Sequence, residues 1–250
     1  MSKYDDRFFD YVDEGAARSA AILVPAVFSW TSPDSVLDVG CGRGFWLQAW
    51  QASGCSSIRG IDGDYVDRSR LRFPQSEFRA VDLSRGFDLG RRFDLVQCLE
   101  VAEHIAAAAA PDLVDSIARH GDVVFFSAAP PGQGGTHHVN EQPIEYWRDL
   151  FQRCGYTAYD CIRHIFCSDE RIEPWYRYNA VLFANDNGKS RLAPELLATA
   201  TAADARFDDV SPLAWRIRKA AFRHMPVAVV DAAAALNERL SRMTRAHQRT

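Results

Sequence analysis

Apolar residues fall into short runs along the first three quarters of the chain, and polar or glycine-containing segments separate these runs. Period-2 patterns and continuous apolar stretches predict seven strands, at residues 36–39, 57–62, 77–83, 93–100, 122–127, 156–167 and 178–183. Apolar positions at helical spacing predict helices at 16–28, 44–53, 64–71, 101–119 (with a candidate break at Pro111) and 143–151. Strands that alternate with helices indicate an α/β protein built on a parallel sheet.

The turn after the first strand is rich in glycine. Gly40, Gly42 and Gly44 alternate with other residues, and Asp38 lies two positions before the first of them. Glycine lets a backbone approach a ligand closely, and the helix that follows presents free N–H groups. The spacing G-x-G-x-G departs from the G-x-G-x-x-G of dinucleotide sites, so a dehydrogenase is disfavoured.

Further acids come at the ends of later strands. Asp62 closes the second strand, 20 residues after Gly42, which is the spacing of a carboxylate that accepts from both hydroxyls of a ribose. Gly63 would let the chain turn sharply over a nucleoside. Asp82 ends the third strand; alone it would be an ordinary loop acid, but it is the third acid in a series of strand ends.

The segment after the fourth strand carries a second group of polar residues. Glu100, Glu103 and His104 stand at i, i+3 and i+4, so we expect them on one face of a helical turn. The loop at 130–142 leaves the neighbouring strand and contains His138. These four side chains offer two oxygen and two nitrogen metal ligands. In the alternative, Glu103 complements a helix N-terminus and His104 is an ordinary acid–base group.

Two motifs, DVGCGRG at 38–44 and FDLVQCLEVAEH at 93–104, resemble motifs of the class I S-adenosylmethionine (SAM) methyltransferases, and the resemblance covers residues 30–185. It implies a Rossmann-like sheet in the order 3-2-1-4-5-7-6 with the last strand antiparallel. It also implies that Asp82 faces the adenine amino group and that Glu100, His104 and His138 are catalytic. The implied cofactor-binding residues are Asp38, Gly40, Cys41, Gly42, Asp62, Gly63, Asp82, Leu83 and Cys98.

The pattern E-x-x-E-H followed by H-x-x-E, ending at Glu141, is similar to the metal site of the small-RNA 2′-O-methyltransferases. It implies a divalent metal (Mn, Fe, Ni, Zn or Mg) on Glu100, Glu103, His104 and His138. Because no RNA-binding module is evident, we expect O-methylation of a small molecule such as a sugar or secondary metabolite. An RNA 2′-O-methyltransferase and a non-catalytic SAM-binding scaffold are the alternatives.

Composition adds limits to this picture. The chain has 250 residues, 47% of them apolar, and a net charge of −4, which argues against general nucleic-acid binding. Six cysteines without metal-type spacing suggest reduced thiols. Neither a signal peptide nor a membrane-spanning run is evident, so we expect a cytoplasmic location.

Three parts are predicted along the chain. Residues 1–34 form either a helical lid over the cofactor or a helix packed on the sheet edge, residues 35–187 form the SAM-binding domain, and residues 188–250 form a helical extension. Helices are expected there at 190–204 and 213–225, followed by a short heptad seam from Val229 to Met243. The basic tail could dock on the acidic body, form a homodimer or bind an anionic surface.

Overall fold

The computed structural model describes residues 6–223 and Met225. Its strands are β1 (Ser35–Val39), β2 (Ser57–Asp62), β3 (Phe78–Ala80), β4 (Phe93–Leu99), β5 (Gly121–Ser127), β6 (Thr157–Tyr159) and β7 (Val181–Ala184). Its α-helices are α1 (Asp6–Thr31), α2 (Phe45–Ala52), α3 (Ala110–His120), α4 (Ile144–Arg153), α5 (Ile162–Phe166), α6 (Pro174–Arg177), α7 (Asp186–Lys189), α8 (Pro194–Leu197) and α9 (Leu213–Phe222).

The strands form one sheet in the order β3-β2-β1-β4-β5-β7-β6, which confirms the predicted order. The first five strands pair in parallel, and β7 runs antiparallel to both β5 and β6. Parallel strands have their carboxyl ends at one edge, so the predicted acids of β1 and β2 and the segment after β4 share that edge.

Both faces of the sheet are covered. Leu23 of α1 and Trp50 of α2 pack on one face, whereas Leu113 of α3 and Trp147 of α4 pack on the other. Successive strand residues serve opposite faces, as Val36 and Leu37 do in β1. Burial on both faces explains the apolar runs at 123–126 in β5 and 181–184 in β7.

Several predicted elements are wrong or too long. The strand predicted at 77–83 covers only β3, so Asp82 lies beyond its end. Only a 3-10 turn at Arg68–Arg70 forms within the predicted helix 64–71, because the Asp67 side chain caps Ser69 and turns the chain. The strand predicted at 156–167 stops after β6, and α5 follows. The helix predicted at 190–204 shrinks to α8, since Ala200 pairs with Tyr159 instead. The helix predicted from residue 101 begins only at Ala110, where Pro111 takes the first turn.

Residues just beyond 187 belong to the core, because Leu192 and Leu196 are buried in it. The division into three parts stays a prediction, and the heptad seam lies outside the described residues. None of the helices that the structure describes combines the length and apolar character needed to cross a membrane.

A buried histidine predicts how stability depends on pH. His120 accepts the Leu89 N–H at Nε2 (2.9 Å), and its Nδ1 lies 2.6 Å from the Ser116 carbonyl, so the neutral Nδ1–H tautomer fits both contacts. Burial lowers the pKa of His120 below its ordinary 6.5. The stabilisation is therefore complete above the unfolded-state pKa and is lost as the pH falls through the folded-state pKa.

We expect His120→Gln to lower the free energy of unfolding at neutral pH by about 1 kcal/mol. It should also flatten the decline of stability between about pH 7 and 5, because Gln does not titrate. Urea unfolding over this range measures both effects. The exposed His164, replaced by Gln, is the control; an unchanged pH dependence in the His120 variant would contradict the assignment.

Candidate functional site

The glycine turn joins β1 to α2 at the carboxyl edge of the sheet. Gly40 and Gly44 adopt left-handed φ angles of 78° and 84°. A Cβ at Gly40 would lie 2.3 Å from a methyl carbon of Val101, so the turn presses against the segment that follows β4. The amides of Gly40 and Cys41 both donate to the Ile61 carbonyl at 2.8 and 3.1 Å, which ties the turn to β2.

Asp62 organises this turn. One carboxylate oxygen accepts from the Gly42 amide (2.7 Å), and the other accepts from the Gly63 amide (2.7 Å) and the Tyr65 hydroxyl (2.5 Å). Burial raises the pKa of Asp62 although these three donors favour the ionised form. The structure thus brings Asp62, Gly42 and Gly63 together as expected. Sequence reasoning missed Tyr65, whose position three residues after the acid was the available signal.

Asp38 is buried beside this arrangement, opposite Gln97 in the pairing of β1 with β4. Its Oδ2 atom has no hydrogen-bond partner among the described residues. Burial raises the pKa of Asp38 to about 7, and the nearby Asp62 charge adds to the effect. A carboxylate held this way would be favoured in its ionised form by a cationic ligand.

Cys41 and Cys98 are buried thiols of the same region. Burial raises the pKa of each well above its ordinary value, with nearby carboxylates adding to the effect. Both therefore fill space as neutral groups and are unsuited to nucleophilic chemistry.

Asp82 and Leu83 are placed differently. Asp82 is exposed, and its carboxylate accepts from the Ser84 amide (3.0 Å) and hydroxyl (2.6 Å), so it caps the 3-10 turn Leu83–Arg85. These bonds lower the pKa of Asp82. Leu83 is buried in the core face that contains α3 and α4. For both Asp82 and Leu83, contact with the adenine of SAM stays a prediction.

Glu100 adopts a left-handed φ of 54° directly after β4. Its amide donates to the Ser127 carbonyl (3.0 Å) and hydroxyl (3.1 Å), and its carboxylate accepts from the side-chain amides of Gln133 (2.8 Å) and Asn179 (3.4 Å). The side-chain amide of Asn179 also donates to the side-chain oxygen Oε1 of Gln133 (2.8 Å). Sequence reasoning missed Asn179, since nothing in the local pattern marks the loop before β7.

Glu103 is fully buried, and neither carboxylate oxygen has a hydrogen-bond partner among the described residues. Burial and then the Glu100 charge raise the pKa of Glu103 well above its ordinary value. Its backbone carbonyl accepts from the amides of Val139 (2.9 Å) and Asn140 (3.0 Å). These two bonds hold the loop at 130–142 against the segment after β4.

His138 projects from that loop towards His104, and their rings meet edge to face at 4.9 Å. The Nδ1 atom of His138 lies 2.9 Å from a Glu141 carboxylate oxygen, which identifies Nδ1 as the protonated nitrogen. Glu141 also accepts from the amides of Gly132 and Gly134, both at 2.7 Å. Burial alone would raise the pKa of Glu141, but these donors and His138 lower it.

Three of the four predicted metal ligands converge. One ligand atom each from Glu103, His104 and His138 lies within 4.8 Å of the others. Glu100 does not join this group, and the expectation that it shares a helical face with Glu103 and His104 is wrong. The 3-10 turn covers only Ala102–His104, and the left-handed backbone at Glu100 directs its side chain to Gln133.

The sheet order and the glycine turn between its central strand and the first crossover helix define a class I SAM-dependent methyltransferase fold. A family model described as a methyltransferase domain matches residues 18–168. The chain therefore belongs to the methyltransferase-domain family, whose cofactor is SAM. No curated protein matches the chain.

Several solved structures are similar to it. The methyltransferase domain of the bacterial protein CtHen1-C is 19% identical with a TM-score of 0.51, covering 68% of this chain and 98% of its own. The sugar N-methyltransferase KedS8 from Streptoalloteichus is 18% identical with a TM-score of 0.53 (67% and 87% covered). An O-methyltransferase family protein from Burkholderia thailandensis is 14% identical with a TM-score of 0.54 (71% covered, and only 57% of that protein). At these identities the likeness establishes the fold.

Replacement of Asp62 by Ala should weaken SAM binding strongly, by roughly a hundredfold or more, because two hydrogen bonds to a charged group are lost. Gly42→Val should have a similar effect by blocking the turn. Calorimetric titration with SAM measures the loss. Asp64→Ala, at an exposed acid two residues further on, is the control. Normal SAM affinity in a folded Asp62→Ala protein would remove the ribose assignment.

The raised pKa of Asp38 leads us to expect that SAM binding depends on pH. We expect the ionised form of Asp38 to attract the cationic methionine end of SAM, and burial raises the pKa of Asp38 to about 7 in the free protein. Affinity should therefore fall as the pH drops from about 7 to 5.5, by up to about tenfold per unit, and binding near neutral pH should release a proton. Titrations in buffers of different ionisation enthalpy measure that proton. Asp38→Asn should bind more weakly and lose the dependence; an unaltered pH profile in this variant would assign it to another group.

Proposed function

We propose that the protein transfers the methyl group of SAM to a hydroxyl of a small molecule, with a divalent metal at Glu103, His104 and His138. One observation carries the proposal: the buried carboxyl group of Glu103 has no hydrogen-bond partner in the described residues and forms, with His104 and His138, a group whose ligand atoms all lie within 4.8 Å of one another. An unpaired buried carboxylate is costly, and a metal ion is one of the few partners that would satisfy it.

The residues present fit a divalent metal. The set combines one carboxylate with two imidazoles, a mixture that suits Mn, Fe, Ni or Zn better than a fully hydrated Mg. Glu141 orients His138, since its carboxylate accepts a hydrogen bond from the Nδ1–H group. Two backbone amides in turn donate to Glu141. Such a carboxylate–histidine pair is the usual support of a metal-binding imidazole. Glu100 would join as a fourth ligand only after releasing Gln133 and Asn179.

The cofactor side of the site lies directly beside this cluster. We assign the ribose hydroxyls to Asp62 and the methionine end of SAM to Asp38, whose free oxygen lies one strand away from the segment that bears Glu103. The close contact of Gly40 with Val101 joins the two halves. The arrangement supports a methyl donor and an acceptor on adjacent loops of one sheet edge.

Methyl transfer from a sulfonium is an in-line displacement, in which the S–CH₃ bond breaks as the O–CH₃ bond forms and the hydroxyl loses its proton. The protein must align the two reactants and manage that proton. A bound divalent metal would lower the pKa of the hydroxyl and hold its oxygen in place. The chain's own part is to position the nucleoside through Asp62 and to keep the His138 ring fixed through Glu141.

An RNA 2′-hydroxyl is the second candidate acceptor, because the E-x-x-E-H and H-x-x-E pattern also occurs in small-RNA methyltransferases. Charge argues against it. Residues 1–210 carry a net charge of −10, and the excess of basic residues is confined to 211–250. Methyl transfer from labelled SAM to small RNA duplexes, compared with transfer to sugars and phenols, would separate the two acceptors.

Removal of the metal tests the proposal. Exhaustive chelation should abolish methyl transfer and leave SAM affinity unchanged, because the nucleoside uses other residues. His138→Ala should act in the same way and lower the metal content measured by elemental analysis. His137→Asn is the control at the adjacent exposed histidine, where Asn tolerates the φ of 62°. Full turnover without metal would leave His104 or His138 as a general base.

A further inference from the structure

Helix α9 packs on the loop that carries His138 and Glu141. A Cβ at Gly132 would lie 2.1 Å from the Lys219 carbonyl oxygen and 3.2 Å from the Arg223 amide, so only glycine permits this approach. Helix α9 also contacts the segment before β7, where the ring centre of Trp215 lies 5.9 Å from that of Tyr178. Tyr178 directly precedes Asn179, which donates to Glu100. The described part of the C-terminal segment therefore adjoins the acceptor side of the site.

Helix α9 leaves two aliphatic side chains outside and turns a mixed face of aromatic and basic residues inward. Leu213 and Ile217 are 68% and 62% exposed. The half-buried face consists of Trp215, Arg218, Lys219 and Phe222. An apolar face would normally be turned inward. The inward cations therefore call for partners on the body of the protein.

Lys219 has such a partner, and Arg218 lacks one. The Lys219 ammonium pairs with Asp209 at 2.7 Å. Arg218 forms no ion pair within the described residues, and its Nη1 atom is buried without a hydrogen-bond partner there. The guanidinium lies 4.7 Å from the ring centres of both Trp215 and Phe222. Two aromatic rings flank the guanidinium, and its Nη1 hydrogens are left without an acceptor in the described residues, which is the kind of donor that a carboxylate or phosphate would satisfy.

Glu141 is the acid whose charge acts on the pKa of Arg218. Burial lowers the pKa of Arg218, and the Glu141 charge acts in the opposite direction. Both Glu141 oxygens already accept hydrogen bonds, from Gly132, Gly134 and His138. Because the neighbouring Lys219 backbone lies against Gly132, Arg218 is carried by the helix that packs on the loop of His138 and Glu141, yet no acceptor in the described residues satisfies its Nη1 hydrogens.

We infer that Arg218 binds an anionic group of the methyl acceptor, so that the substrate is a hydroxyl compound that also carries a carboxylate or a phosphate. This inference rests on the proposed function, because it names the substrate class of the same site. Arginine binds both oxyanions through paired, charge-assisted N–H bonds. The C-terminal extension would then supply acceptor selectivity, while the sheet supplies the cofactor site.

Binding of small anions tests the inference directly. The probes are glucuronate, glucose 6-phosphate and inorganic phosphate, with uncharged glucose as the reference, titrated by calorimetry into metal-free protein saturated with S-adenosylhomocysteine. We expect at least one anionic sugar to bind at or below about 1 mM, the upper range of ordinary Michaelis constants, and glucose to bind more weakly. Arg218→Gln should weaken that binding by roughly tenfold or more, while SAM affinity and melting temperature stay unchanged.

Arg216→Gln is the matched control, because Arg216 is exposed on the same helix two residues away. Equal anion binding in the Arg218→Gln and Arg216→Gln proteins, or no preference for anionic over uncharged sugars, would overturn the inference. The experiment uses neither turnover nor metal. A failed chelation experiment therefore contradicts the metal-assisted chemistry alone, whereas failed anion binding contradicts the substrate class alone.

Discussion

Four carboxylates are buried or half-buried at one edge of the sheet, and the site depends on how each is satisfied. Asp62 and Glu100 receive N–H donors, from the Gly42 and Gly63 amides and from Gln133 and Asn179 respectively. Asp38 and Glu103 keep carboxylate oxygens without partners in the described residues. Because an unpaired buried acid is costly, the satisfied pair shapes the loops, and the unsatisfied pair marks where cationic ligands would be stabilised.

Hydrogen bonds also fix the two loops that form the site. Asp62 fastens the glycine turn to β2, and the backbone carbonyl of Glu103 fastens the loop at 130–142 to the end of β4. Val101 lies between them, against Gly40. A displacement of either loop would break hydrogen bonds to buried groups, so these contacts oppose movement of one loop relative to the other.

Periodicity predicted an α/β protein with seven strands, the family resemblance implied the strand order, and three of the four residues proposed as metal ligands converge (Glu103, His104 and His138). The errors share a cause, which is that local pattern does not show competition from distant or short-range polar contacts. Asp67 caps a turn where a helix was expected, Ala200 pairs with Tyr159, and Asn179 reaches Glu100 from a loop 79 residues away. A left-handed residue such as Glu100 also escapes prediction, because only its contacts to Ser127 and Gln133 select that backbone.

In helix α9, polar and aromatic contacts to the rest of the protein determine which face of the helix packs inward. Its apolar residues Leu213 and Ile217 lose burial when the opposite face turns inward. The ion pair of Lys219 with Asp209 and the ring contact of Trp215 with Tyr178 offset part of that loss. Neither contact accounts for the half-buried Arg218, whose enclosed Nη1 atom lacks a partner in the described residues, since a fully exposed guanidinium would be hydrogen-bonded to water. The proposed role of Arg218 in binding an anionic group of the acceptor accounts for this under-satisfied cation beside the loop that bears His138, whereas the packing contacts of α9 do not.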